Sequence, residues 1–132
     1  MKKILTIGSV IVLAACAKAP ESINDNKVFF AFDSAVISDA ARNNLESQAL
    51  YMKENPNVTV VLGGHCDERG SVDYNLALGA LRAGNAAHVL MSEGIEPERI
   101  RTISYGKENP QYIGTGEAVW KMNRNVTTNV IR

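Results

Sequence analysis

The sequence predicts an α/β domain of the α+β sandwich type, with helices packed on a small mixed four-stranded sheet. Two observations lead there. Short apolar runs of strand character alternate with two long segments of helical period, in the order strand, helix, strand, helix, strand, short helix, strand. Gly, Pro and Asn punctuate most of the joints between them. Strands joined through a helix should run parallel with right-handed crossovers, so a layer of helices on a sheet is the expected outcome.

Val28-Phe29-Phe30-Ala31-Phe32 is the first strand candidate, ended by Asp33-Ser34. Ser38 is a good helix N-cap and Asp39 suits the first turn after it. Ile37, Ala41, Leu45, Ala49 and Met52 recur near the helical period until Asn55-Pro56-Asn57 stops it. Val58-Thr59-Val60-Val61-Leu62 is the clearest strand, almost continuously apolar as if buried on both faces, and Gly63-Gly64 should end it. A loop through Gly70 leads to a second long helix over about 72–92, with Leu76, Ala80, Ala83, Ala87 and Leu90 as its expected buried face. Gly84 weakens that helix by up to about 1 kcal/mol relative to alanine. Gly94 stands where a left-handed cap closes a helix. A third strand over 100–105, a Gly/Pro-punctuated loop, a helical turn over 118–122 and a last strand over 126–131 complete the chain.

The N-terminus differs in kind. Lys2 and Lys3 precede a short apolar stretch from Ile4 to Leu13, then Ala14 and Ala15 lead to Cys16. This is the layout of an export signal over 1–15, and the apolar stretch is too short to span a bilayer as a helix. Leu13-Ala14-Ala15-Cys16 resembles the lipobox of bacterial lipoproteins, so Cys16 is the expected lipidation site. Residues 16–26 read as the lipidated Cys and a short polar tether, and 27–132 as one domain. With Cys16 lipidated, Cys66 has no intramolecular partner in an oxidising compartment and must be buried or a liability.

The 132 residues carry 14 basic and 14 acidic side chains. That balance, with no basic run, offers no electrostatic footprint for nucleic acid. With two His and, after processing, one Cys, no metal site and no cofactor are expected. Cys66 beside His65 invites a hydrolase reading, but neighbours on an extended segment point to opposite faces, so no nucleophile–base pair and no enzyme is expected.

Asp33 follows the first strand and Asp67 the second. If those strands are parallel, both carboxylates lie at the sheet edge where α/β proteins bind ligands. Arg69 shares the second loop, and Asn75 and Arg82 lie on the helix it feeds. Arg and Asp facing one crevice suit a zwitterion, the guanidinium forking onto a carboxylate while the Asp accepts from an ammonium. Spacing alone leaves open an internal Asp67–Arg82 salt bridge that merely fastens loop to helix.

Gly64-His65-Cys66-Asp67-Glu68-Arg69-Gly70, then Tyr74-Asn75-x-x-Leu78-Gly79-x-x-Arg82-Ala83, Ser104-Tyr105-Gly106-Lys107-Glu108 and Asn123-Arg124, closely resemble the OmpA-like peptidoglycan-binding domain family. The resemblance runs from about Val28 to the C-terminus. It implies that Asp67 and Arg82, at 82 − 67 = 15 residues apart, hold meso-diaminopimelate of the wall's stem peptide. Asp33 would line the same pocket, with Asn75 and Leu78 shaping it, Arg69 a further contact and Arg124 a structural or rim residue. With the lipobox, it further implies an outer-membrane lipoprotein facing the periplasm, tethering that membrane to peptidoglycan and partnered by the propeller protein TolB and other Tol proteins. A protein-interaction scaffold of the same fold without wall binding is the alternative. Three departures from the family pattern stand out: a thiol at Cys66, Asn125 where a second Arg commonly follows Arg124, and the short tether.

Overall fold

The computed structural model describes residues 22–23 and 25–132. The signal stretch 1–15, Cys16 and most of the tether lie outside the described residues. The elements are β1 (Lys27–Phe29), α1 (Asp39–Glu54), β2 (Thr59–His65), α2 (Val72–Ser92), a 3-10 turn (Pro97–Arg99), β3 (Ile100–Gly106), α3 (Glu117–Asn123) and β4 (Asn125–Ile131). The helix starts follow their caps. Ser38 accepts from the Ala41 amide at 3.1 Å and Ser71 from the Tyr74 amide at 3.1 Å, each cap worth about 1 kcal/mol.

The sheet runs in the order β1-β4-β2-β3. β2 and β3 are parallel, while β4 is antiparallel to both of its neighbours, β1 and β2. β1, β2 and β3 therefore point the same way, and the loops after β1 and β2 meet at one edge. The parallel rule fails for β4. The β3–β4 connection does not cross a face of the sheet, because Thr115 and Trp120 hold it to Glu68 beside the end of β2. Starting from that edge, β4 can only run back.

Two other strand expectations are corrected. β1 is three residues long, since the carbonyls of Ala31 and Ser34 bond to a side chain instead of a ladder. β2 runs through Gly63-Gly64, and at its start only the helix-facing side is sealed: Val60 and Leu62 are fully buried, Thr59 and Val61 half-buried, whereas Gly63 to His65 are buried on both faces.

Glycine explains why β2 continues. A Cβ on Gly64 would sit 1.9 Å from the Gly79 carbonyl oxygen, and one on Gly79 would sit 2.3 Å from Ser104 Oγ. Helix α2 thus lies directly on β2 and β3, and its inward stripe is set by Gly79. Asn75, Gly79, Arg82, Ala83, Ala86 and Leu90 face inward, whereas Leu76 and Ala80, expected inside, are exposed. Leu45 and Met52 of α1 close the core against Val60, Leu62, Leu90 and Val126, all fully buried.

Two alanine substitutions should therefore act in opposite directions. Gly64→Ala forces α2 off the sheet and should cost about 1–3 kcal/mol or more. Gly84 sits inside α2 with nothing within 4 Å of its would-be Cβ, so Gly84→Ala should stabilise by up to about 1 kcal/mol. Denaturant titration of both variants checks this; equal effects would contradict the packing described.

Candidate functional site

Beyond the C-terminal ends of β1 and β2 lies a cleft of about 260 Å³, lined by Phe32, Asp33, Cys66, Asp67, Arg69, Gly70, Tyr74, Asn75, Leu78 and Arg82. All six residues named from the sequence as site candidates, Asp33, Asp67, Arg69, Asn75, Leu78 and Arg82, are brought together here. Their mutual bonds, however, differ from those expected.

Arg82 does not pair with Asp67. The guanidinium, only 1% exposed, donates from Nε to the Ser34 carbonyl at 2.8 Å, from Nη1 to the His65 carbonyl at 2.9 Å and from Nη2 to the Ala31 carbonyl at 3.1 Å. It staples the loop after β1 to the end of β2. Among the described residues no carboxylate neutralises it at salt-bridge distance, and burial pushes its pKa below the ordinary arginine value.

The carbonyls gripped at residues 31 and 34 flank Asp33, whose φ of 53° is left-handed. Asp tolerates that region at a small cost, and Arg82 holds it there. The exposed Asp33 carboxylate accepts from the Tyr74 hydroxyl, which raises the Tyr74 pKa.

Asp67 pairs instead with its own loop. Oδ1 accepts from the Arg69 amide at 3.0 Å and Arg69 Nε at 3.1 Å, and Oδ2 from Arg69 Nη2 at 2.8 Å and Arg124 Nη1 at 3.4 Å. Burial alone would raise its carboxyl pKa. The Arg69 bonds and charge, with Arg124, outweigh that and hold it below the usual carboxylate range. The Arg69 guanidinium lies between the Phe32 ring at 3.9 Å and the Trp120 ring at 4.1 Å, a cation–π arrangement that fixes it in place.

Around this frame, Asn75 Nδ2 donates to the Arg69 and Ser71 carbonyls at 2.8 and 2.9 Å, so Asn75 shapes the loop. Leu78 gives the cleft an apolar wall. Arg124 is structural, bonding the Phe30 carbonyl at 3.0 Å and Glu117 at 2.7 Å. Asn125 is not a rim residue at all: fully buried in β4, its amide donates to Gln111 and the Met122 carbonyl. The Cys66 thiol is buried, bonded to the Asn75 carbonyl at 3.3 Å, and its pKa is pushed up by burial. His65 stacks on Tyr105 at 5.0 Å.

Sequence reasoning missed Phe32, Tyr74 and Trp120. Tyr74 stands in the same short motif as Asn75 and could have been named from it. Trp120 could not, because only the return of the β3–β4 connection brings it to the loop after β2.

A charged cleft beyond the ends of co-directional strands, in a two-layer α+β domain, has the form of a ligand-binding domain. The chain belongs to the OmpA family, whose pattern its residues 29–124 match. It is 38% identical over 122 residues to a peptidoglycan-associated lipoprotein of Brucella melitensis, covering 88% of this chain and 73% of that protein. It is 35% identical to the peptidoglycan-associated lipoprotein of Pasteurella multocida, with 93% of each chain covered. The crystal structure of the peptidoglycan-associated lipoprotein from Burkholderia pseudomallei superposes with a TM-score of 0.78 at 35% identity, covering 80% of this chain and 90% of that one. The family is structural rather than catalytic.

The Asp67 frame predicts an acid-sensitive contribution to stability. Its folded pKa is depressed, so the contribution is present above the ordinary carboxylate value and lost as pH falls through the folded one. Asp67→Asn should lower stability by about 3 kcal/mol at neutral pH, and the gap from wild type should narrow below about pH 4. Thermal melts across pH 2–7 measure it; a gap that stays constant to pH 2 would count against the frame.

Proposed function

We propose that the domain binds the peptidoglycan stem peptide through the zwitterionic end of meso-diaminopimelate. It would thereby tether the outer membrane to the wall within the Tol–Pal system, supporting envelope integrity and cell division. The observation that carries this reading is the guanidinium of Arg82, buried against the cleft with, among the described residues, no carboxylate at salt-bridge distance. A buried charge is costly unless paired, and a ligand carboxylate entering the cleft would complete it with a charge-assisted, fork-like bond. The acidic side chains Asp33 and Asp67 on the same cleft suit an ammonium, with Leu78 against the aliphatic chain and Arg69 and Asn75 holding the wall. The names of the relatives support peptidoglycan as the source of that zwitterion.

Orientation supports the reading too. The chain enters β1 at the edge of the sheet opposite the cleft. A domain held to the outer membrane by lipid on Cys16, through a tether spanning at most about 34 Å, would turn the cleft away from the membrane into the periplasm. The β2–α2 loop and its surroundings form the surface where TolB would compete with the wall.

A stem peptide with lysine in place of diaminopimelate keeps the amine but lacks the distal carboxylate. Calorimetric titration of wild type should find the diaminopimelate tripeptide tighter by about 2–5 kcal/mol, roughly thirty-fold to several-thousand-fold. Sacculi should retain the domain, and added TolB should release it. Equal affinity for the two tripeptides would remove Arg82 from this role.

Anchoring has its own check. Two or three acyl chains give stable membrane attachment, so Cys16→Ser should move the protein out of the outer-membrane fraction. If the variant still fractionates with outer membranes, lipidation at Cys16 is not the anchor.

A further inference from the structure

We propose that His65 is a proton-operated catch for the β3–β4 connection. Neutral, its ring accepts the Gln111 side chain and keeps the connection on the sheet; protonated, it turns that side chain away. The ring lies on the face of the sheet that the helices leave open, and the inference does not depend on the wall reading.

A chain of side-chain hydrogen bonds with a fixed direction reaches the ring. The Met122 carbonyl can only accept, so the Asn125 atom 2.8 Å from it is the amide nitrogen. Asn125 Oδ1 therefore faces Thr127, whose single hydroxyl proton goes to it at 2.7 Å. Thr127 Oγ1 is left to accept, from Lys27 Nζ at 3.3 Å and from Gln111 Nε2 at 3.0 Å. Gln111 Oε1 is already taken by Asn125 Nδ2 at 2.9 Å. What Gln111 presents to His65 is thus its nitrogen, 3.5 Å from the ring Nε2. A donor there needs a lone pair opposite, and only the neutral imidazole has one.

Nothing around the ring compensates a charge. His65 is 5% exposed and stacked on Tyr105. The charged and titratable groups on its side are Lys27 from β1 and Tyr105 from β3. β4 and the connection present the neutral Asn125, Thr127 and Gln111, and Arg82 of α2 meets the His65 carbonyl from the helix layer. Among the described residues no carboxylate lies at salt-bridge distance of the ring. Burial first, and then the Lys27 charge, hold the His65 pKa below the ordinary histidine value.

Protonation sets an N–H against an N–H at Gln111 and a second cation beside Lys27. Gln111 is the part that can yield, since it belongs to an exposed segment. Beyond it the connection carries Thr115 and Trp120, the partners of Glu68, and Trp120 is one of the two rings on Arg69. Acid therefore slackens the connection and the clamp on Arg69 with it. Because the folded pKa is depressed, the stability supplied by the neutral ring is complete above about pH 6.5 and is lost as pH falls towards the folded value. Asp67, Glu68 and Glu117 are all held below the usual carboxylate range, so a step in the histidine window is not theirs.

The test is a pH titration of the full chain in detergent micelles. Magnetic resonance follows the His65 imidazole, assigned by its loss in His65→Gln. Two reporters follow the connection: exchange of the Tyr112 amide, bonded to Asn123 Oδ1 at 3.0 Å and corrected for its intrinsic pH dependence, and fluorescence of Trp120, the one tryptophan. Wild-type His65 should titrate below about 6.5, and both reporters should change in the same step. Gln111→Glu keeps the size and the acceptor for Asn125 but offers the ring a carboxylate. It should raise the His65 midpoint by about one unit or more and remove the step from both reporters, because the charged ring is then held. The catch is overturned if Gln111→Glu leaves the midpoint in place, if wild-type His65 titrates above the ordinary value, or if it gains its proton while Tyr112 and Trp120 report no change.

Discussion

A guanidinium sealed inside the domain at Arg82 ties carbonyls at Ala31, Ser34 and His65 together, and the shape of the cleft follows from that one tie. Without it the loop after β1 would carry orphaned carbonyls, and nothing would hold Asp33 in its left-handed turn. Carbonyl oxygens satisfy the hydrogen-bonding geometry of an arginine but not its charge. The same contact that fixes the fold at this edge therefore leaves the guanidinium, among the described residues, without a carboxylate at salt-bridge distance.

The second loop solves a different problem. Asp67 is nearly buried, and its charge is met by Arg69 from the same loop and by Arg124 from the far end of the chain. The aromatic rings of Phe32 and Trp120 clamp Arg69 from two sides. Glu68, bonded to Thr115 and Trp120, pins the β3–β4 connection to the same place. The rigidity of this edge is thus electrostatic and aromatic, while the opposite end of the domain is held by the aliphatic core around Leu45, Leu62 and Leu90.

Close approach of backbones makes the arrangement possible. Gly64 and Gly79 let α2 settle onto β2 and β3 without side chains between them. That depth carries Arg82 far enough inward to reach carbonyls of two loops. A larger residue at either glycine would lift the helix and withdraw the guanidinium from the turn at Asp33, so packing and site chemistry are coupled through these two positions.

The sequence by itself determined the element order, both long helices with the Ser38 cap of the first, and the cleft's edge of the sheet with Asp33, Asp67, Arg69, Asn75 and Arg82, Leu78 being named through the family resemblance. These depend on local period, capping chemistry and the direction of strands joined by helices, all written in short stretches of chain. The tertiary structure alone decided the pairing. It sent β4 back antiparallel between β1 and β2, turned α2 so that Gly79 rather than Leu76 or Ala80 faces inward, and gave Asp67 to Arg69 and Arg124 instead of Arg82. It also brought Trp120 to a loop some fifty residues away in the chain. The physical reason is common to all of these: a charged side chain takes whichever partner the packed backbone leaves within about 3 Å, and sequence spacing carries no information on that distance once the chain has crossed the sheet.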